Sequence, residues 1–543
     1  MKAFRIAVIL VVSLASLVSV GCRKDATRIT PAEIEAHLRF LSDDLLEGRA
    51  LGSRGIDLAA LYQETQFRAF GLKPFFGDSY RQSFELEGSQ PDRTATLEVA
   101  EISGTASASA PALLYEYPES LVNRSYREDC PEGVEGEIVY CGYLIQAPER
   151  QWDDIKGADL KGKVLLCEIN EPGNWPGGIF DGEYMNYYGR WIYKFEKAAE
   201  LGATGVLIIH NTKGAAYGWE VVQNSWAGET FFLPDQPQRL FFQGWVKGEA
   251  GDAIIQAAGQ SRAALLAAAE TKDFKPVNLG LLARVRNKVS VRKVSGTNVA
   301  GVIGPKKQEP DTKTIILTAH FDHFGRDPER DGDQIYNGAL DNCSASATLL
   351  ALARYYGQHA EALKVNLVFA GVTAEEQAML GSSYFVRHLS IPNGSILADI
   401  NLEMTNVWGE VKDVYGIGAK QSDLDDICRT AADKLGLDYI PEREGNLGFF
   451  FRSDQISFAK AGIPAVWLHE GITSRGKDPD WIKTKTDDYK KNRYHKVTDQ
   501  MEPDWDLRGA VQIARWAQEI ISLLAEAKTI PQFKPTSSFH RSQ

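Results

Sequence analysis

Cysteine is scarce in this 543-residue chain: six residues, Cys22, Cys130, Cys141, Cys167, Cys343 and Cys428, none in a CxxC pair. That spacing excludes a cysteine-built zinc site and a disulfide-dense scaffold, and at this length no segment needs disulfides to fold. A Cys130–Cys141 disulfide and two separate buried thiols both fit. Basic runs are lacking beyond the first few residues, and the net charge is −12 with a pI near 5.4. Phosphate binding needs clustered Lys and Arg, so a nucleic-acid partner is excluded. Internal repeats and low-complexity tracts are absent. The one marked apolar run, Ile6 to Val20, is too short to span a bilayer comfortably.

That run, preceded by Lys2 and Arg5 and followed by Gly21-Cys22, reads as an export signal over residues 1–22. Its end resembles a bacterial lipoprotein cleavage site, with Ser19 where Leu is usual and Cys22 as the lipid acceptor. The alternatives are a plain secretory signal or a retained N-terminal anchor. The chain is thus expected to be periplasmic, attached to the outer membrane or secreted, with no membrane contact other than a lipid on Cys22. Oligomeric state is not legible.

With 44% hydrophobic and 24% charged residues, the remainder has an ordinary globular composition and length for two or three domains. Residues 23–92 begin helical: Thr30-Pro31-Ala32-Glu33 carries a cap, an early proline and an early acid. Residues 93–275 hold short β-type runs, such as Lys163 to Cys167 and Gly205 to Ile209, and read as a separate β-rich domain. Its glycine- and aromatic-rich stretches at 172–191 and 214–245 either shape a binding entrance or are surface loops. Residues 276–528 alternate strand and helix, which predicts an α/β fold with a mostly parallel sheet covered on both faces. Residues 529–543 read as a loose polar tail.

Ligands gather beyond the carboxyl ends of parallel strands. Here the strand Thr314 to Ala319 runs into His320-Phe321-Asp322-His323. The strand Val365 to Phe369 leads to Glu375-Glu376, and Ile396 to Leu402 leads to Glu403. Loops add Asp341-Asn342, and Tyr494-His495 with Asp499. Imidazoles and carboxylates suit zinc, and one carboxylate can bridge two ions. Each feature has a plainer reading: a structural histidine, a solvated helix start, a turn, a cap. Their common placement at strand ends favours a site.

These segments resemble the zinc exopeptidases that include bacterial leucyl aminopeptidases and glutamate carboxypeptidase II. His320-Phe321-Asp322-His323-Phe324-Gly325 is similar to H-[FY]-D-H-x-G, and Gly338-Ala339-Leu340-Asp341-Asn342 to G-A-x-D-N. Glu375-Glu376 with Gly381-Ser382, Arg452-Ser453-Asp454, Gly462-Ile463-Pro464-Ala465 and Tyr494-His495 with Asp499 follow in order. Glu47-Gly48-Arg49 also resembles the N-terminal part of these enzymes, and 93–275 the protease-associated insertion many of them carry. The resemblance implies peptide substrates and two zinc ions. One would be held by His320 and Glu403, the other by Glu376 and His495, with Asp341 bridging. It makes Glu375 the general base, has Asp322 orient His320, and gives Tyr494 and Asp499 supporting roles near His495. Glu403 stands where the family usually has Asp, and Cys343 where it commonly has Gly; that thiol is either a buried small residue or a redox liability. Aminopeptidase action is the first expectation. Carboxypeptidase or dipeptidase action, a one-zinc glutaminyl-cyclase-like activity and a non-catalytic peptide receptor are the alternatives.

Overall fold

Four segments of nearly unbroken apolar character, Thr314–His320, Asn366–Val372, Ile396–Asn401 and Ala465–Glu470, are buried along almost their whole length. Such runs suit parallel strands covered on both faces. The computed structural model describes residues 28–540, apart from 92–93, 103–112, 126–132, 236–239, 393–394 and positions 176, 183, 227, 308 and 310. Residues 1–22, expected to be an export signal ending at Cys22, lie outside the described residues. No helix among those described is long and apolar enough to cross a membrane.

The four strands form the parallel centre of a ten-stranded mixed sheet, in the order Asn366–Val372, Thr314–His320, Ile396–Asn401, Ala465–Glu470. Antiparallel strands flank them: Val289–Ile303 and Arg81–Pro91 on one side, Asp413–Ile417 on the other. Helices Pro31–Leu41, Arg54–Ala69, Ala345–Gln358 and Arg508–Ala525 cover one face through Leu38, Phe67, Leu349 and Trp516. Leu380–Arg387 and Gln455–Lys460 cover the other through Phe385 and Phe458. Thr30 caps the first helix as its sequence implies, its Oγ1 accepting from Glu33 N–H at 3.3 Å.

Arg81–Pro91 and Val289–Ile303 form a long antiparallel ribbon, in register from Arg81 opposite Val299 to Pro91 opposite Val289. At its far end the chain leaves into a second, eight-stranded sheet. There Val134–Tyr140, Val164–Glu168, Gly205–Ile209 and Phe242–Val246 run parallel. The boundary at 275/276 shifts, because Val277–Arg286 pairs with Thr96–Glu101 and Val134–Tyr140 of this second sheet. Local alternation marks that segment as a strand but does not name its partner. Thr230–Phe232, in turn, leaves the second unit and edges the main sheet beside Arg81–Pro91.

The C-terminal tail is also not loose. Phe533 and Phe539 are buried against Phe450, Phe451 and Tyr187, and Arg150 Nη2 donates to Thr536 O at 2.8 Å. Two buried phenylalanines stabilise such an attachment by about 2–3 kcal/mol each, and this outweighs the polar residues around them. Cys141 is a free, buried thiol; Cys130, its partner in the disulfide alternative, lies outside the described residues.

His37 on the first helix is 7% exposed, with Nδ1 2.8 Å from Tyr62 Oη. Burial, helped by Arg354, lowers its pKa from 6.5 to about 4. The unfolded chain therefore binds the proton first as pH falls. Stability should drop through this window by up to about 3 kcal/mol. Denaturant midpoints measured in pH steps should show that slope, and His37→Gln should flatten it.

Candidate metal centre

The parallel strands end at one edge of the sheet, and the acidic and imidazole side chains converge there. His320 closes its strand and is fully buried. After Val372 the backbone turns through a left-handed Ala374 (φ 58°), which redirects Glu375 and Glu376 toward His320 and His323. A side-chain-bearing residue there costs about 1–2 kcal/mol. The backbone N–H groups of Glu375 and Glu376 are held by Asp322 Oδ1 and Oδ2 at 3.1 and 3.4 Å. Asp322 Oδ1 also lies 3.6 Å from His320 Nδ1, so this carboxylate faces both the imidazole and the glutamate pair.

His320 Nε2 is 3.2 Å from Glu403 Oε1, 3.3 Å from Asp341 Oδ1 and 4.0 Å from Glu375 Oε2. The other oxygen of Asp341 lies 3.3 Å from His495 Nε2, which is itself 3.5 Å from Glu376 Oε2. All seven residues expected from the sequence thus come together. Among the described residues, ligand atoms of His320, Glu375 and Glu403 lie within 4.8 Å of one another, and so do those of His323, Asp341 and Glu376. His323 carries no role in the resemblance, yet its Nδ1 is 2.7 Å from Glu376 Oε1. It shares that glutamate with His495, which takes the other oxygen. The only hint in the sequence was its place in the His320–Gly325 motif.

The longer Glu403 is anchored at its second oxygen by Ser453 Oγ at 2.8 Å and Asn342 Nδ2 at 3.3 Å, leaving Oε1 toward His320. The backbone N–H groups of Leu340 and Asp341 donate to Asp499, whose Oδ2 also accepts from Tyr489 Oη at 3.0 Å. Tyr494 stacks on His495 with ring centres 3.7 Å apart. Gly338 (φ 57°) admits no side chain: a Cβ would meet Asp341 O at 2.2 Å and His323 Cδ2 at 2.6 Å. Cys343 is a buried small residue, its thiol pushed up to about 12 by burial, which disfavours the reactive thiolate.

Arg49, fully buried, fastens this edge. Its guanidinium donates to the carbonyls of Phe321, Leu41, Asn337 and Gly338 at 2.8, 2.7, 2.6 and 3.3 Å. One side chain thereby joins the first helix, the His320 loop and the Asp341 loop.

The charge balance is lopsided. Burial pushes Glu376 up to about 8, and burial with Glu403 and Glu376 nearby holds Glu375 well above the carboxylate range. His320 is held well above the usual imidazole value, the charges of Glu403 and Glu375 outweighing the burial that opposes it. Buried carboxylates that lack a full complement of cations, set among imidazoles, form a donor set suited to divalent metal of the zinc type.

Residues 298–517 match the profile of Peptidase family M28. The aminopeptidase YwaD of Bacillus subtilis is 27% identical over 197 residues, covering 35% of this chain and 39% of that protein. Probable leucine aminopeptidase 2 of Aspergillus oryzae is 26% identical over 253 residues, 44% of this chain and 48% of that protein. The chain thus aligns with less than half the length of each of these curated relatives. Among solved structures, an aminopeptidase from Aneurinibacillus sp. strain AM-1 aligns over 93% of this chain and 96% of its own, at 22% identity and a TM-score of 0.49. The 298–517 segment belongs to the zinc exopeptidase family, as its ordered motifs imply.

Arg49→Lys should lower stability by about 2–4 kcal/mol, since an ammonium cannot serve carbonyls spread across the planar fork. Denaturant midpoints and retention of divalent metal on dialysis should both fall.

Proposed function

We propose that this chain is an exported metallo-aminopeptidase that holds two zinc ions and removes N-terminal residues from peptides. The observation that carries the reading is Asp341: its two oxygens each approach a different imidazole, His320 and His495, at 3.3 Å. A carboxylate so placed suits a bridge between two cations. His320 and Glu403 would complete one position, Glu376 and His495 the other, with His323 holding Glu376 from behind. Zinc bound there would supply Lewis acidity, polarising a carbonyl and lowering the pKa of a water.

The remaining chemistry belongs to the chain. Glu375 is 9% exposed and lines the cavity beside Asp341, Glu376 and His495. It is placed to take a proton from the attacking water and return it to the leaving amine. Asp322 fixes the backbone of Glu375 and so its reach. The cavity, about 1370 Å³, is larger than the usual 300–1,000 Å³ of small-ligand sites. Residues of both stretches expected to shape an entrance or to be surface loops line it, among them Arg190, Trp226 and Phe231. The inserted segment thus contributes to the wall of the space in which a peptide end would lie. Export rests on Lys2, Arg5 and the apolar run to Val20, and a lipid on Cys22 would be the membrane contact.

Purified protein should hold close to two zinc ions per chain and hydrolyse aminoacyl-p-nitroanilides. Chelation should abolish the activity and zinc restore it. Glu375→Gln should keep its metal while kcat falls by about 10²–10⁴-fold. One ion per chain with glutamine cyclisation, or none with peptide binding alone, would replace this reading.

A further inference from the structure

Among the described residues, two of the three buried Lys and Arg side chains are satisfied by carbonyls. Arg49 spends its donors on carbonyls. Lys194, fully buried in the second unit, donates to the carbonyls of Tyr143 and Asn170. Three cations on the wall of the large cavity are also paired: Arg387 with Asp235 at 3.0 Å, Lys460 with Glu196 at 2.6 Å and Lys490 with Glu444 at 2.7 Å.

Arg190 breaks the pattern. It lines the same cavity, is only 7% exposed, and its Nε is buried without a hydrogen-bond partner. Among the described residues no carboxylate or carbonyl accepts from its guanidinium. A second guanidinium lines the same cavity: Arg452 also has an unpartnered buried Nε and sits over the Phe449 ring rather than on an acid. Burial and the charge of Arg452 lower the Arg190 pKa to about 9. Tyr217 lies close enough to both for their charges to act on its hydroxyl. Two neighbouring guanidiniums, Arg190 buried and Arg452 half-buried, with no counter-ion among the described residues, are costly as they stand. An anion between them would remove that cost, and the planar fork of arginine fits a carboxylate.

Their place in the chain says which anion. Arg452 precedes Ser453, whose hydroxyl holds Glu403 at 2.8 Å, and both arginines line the cavity that Asp341, Glu375, Glu403 and His495 also line. Arg190 comes from the second unit, just before the helix Trp191–Glu200. Its stem passes Gly448, where a Cβ would come within 3.5 Å of Arg190 Cδ.

We propose that Arg190 and Arg452 form a carboxylate subsite for the part of the peptide beyond the scissile bond, which directs the enzyme to short peptides ending near that bond. The proposal rests on the peptidase reading of the metal centre. The carboxylate could belong to the chain terminus or to an acidic side chain, and the substrates separate the two.

The test uses the zinc-loaded full chain. Leu-Gly-Gly is compared with its C-terminal amide, and Leu-Glu-Gly-amide with Leu-Gln-Gly-amide. Wild type should favour the free acid over the amide by about tenfold or more in kcat/KM, mostly through KM. Arg190→Met and Arg452→Gln should each collapse that preference to near unity. If only the Glu/Gln pair shows the preference, the carboxylate is a side chain's. A wild type blind to both pairs, or variants that keep the preference, would overturn the subsite while leaving the aminopeptidase reading intact. Calorimetry with a reduced-bond, uncleavable Leu-Gly-Gly analogue, as acid and amide, gives a second readout that needs no turnover. Tighter binding of the acid, lost in Arg190→Met, with no hydrolysis of any peptide would uphold the subsite and sink the aminopeptidase reading. Removing an unpaired buried charge should leave the melting temperature of Arg190→Met at or above that of wild type. A marked fall would mean a structural guanidinium and would overturn the proposal.

Discussion

The guanidinium of Arg49 is the point on which the metal centre depends. It is a buried cation with no acid beside it, satisfied by four backbone carbonyls. A polar group taken out of water this completely is tolerated only when its donors are used. Their acceptors lie on three segments far apart in sequence: Leu41, Phe321, and the Asn337-Gly338 pair. The strand end that carries His320 and the loop that carries Asp341 are thereby tied to the N-terminal helix. Gly48, next to it, also permits no side chain, since a Cβ would meet Gly325 O at 2.3 Å.

Around that fastening the centre is built from opposed demands. Metal-type chemistry needs carboxylates and imidazoles close together, while folding resists burying like charges. The chain resolves part of this with donors that do not compete for the inner oxygens. Asp499 is held by backbone N–H groups, Asp322 takes the N–H groups of Glu375 and Glu376, and Ser453 with Asn342 occupies the outer oxygen of Glu403. Burial, with the neighbouring carboxylates, raises the pKa of Glu375 and Glu376. A bound cation would offset this, which links occupancy of the centre to its stability.

The second unit is inserted at the end of a ribbon whose two strands leave and return side by side, Pro91 opposite Val289. An insertion so attached need not disturb the parent sheet. Here it is also tied back, by Thr230–Phe232 at the sheet edge and by Phe533 and Phe539 in the tail. Those contacts hold Arg190 against the wall that Arg452 shares. The cavity is thus a joint product of both units, and its cationic pair comes from both.

The central strands were legible in the sequence because strands buried on both faces read as unbroken apolar runs. The metal-type residues were legible because they fall at the ends of those runs, in an order that short motifs preserve. The helix starting at Pro31 was marked by its own cap. Strand partners were not legible: alternation shows that Val277–Arg286 is extended, but not that it pairs with Thr96–Glu101. Nor could composition show that a polar tail is pinned by two phenylalanines. The contact of His323 with Glu376 and the placing of Arg190 and Arg452 on one cavity wall bring together residues 53 and 262 positions apart. Local sequence determines backbone preference and the chemical identity of each side chain. Which side chains meet, and which charges go without a partner, is decided only when distant segments pack and water is excluded between them.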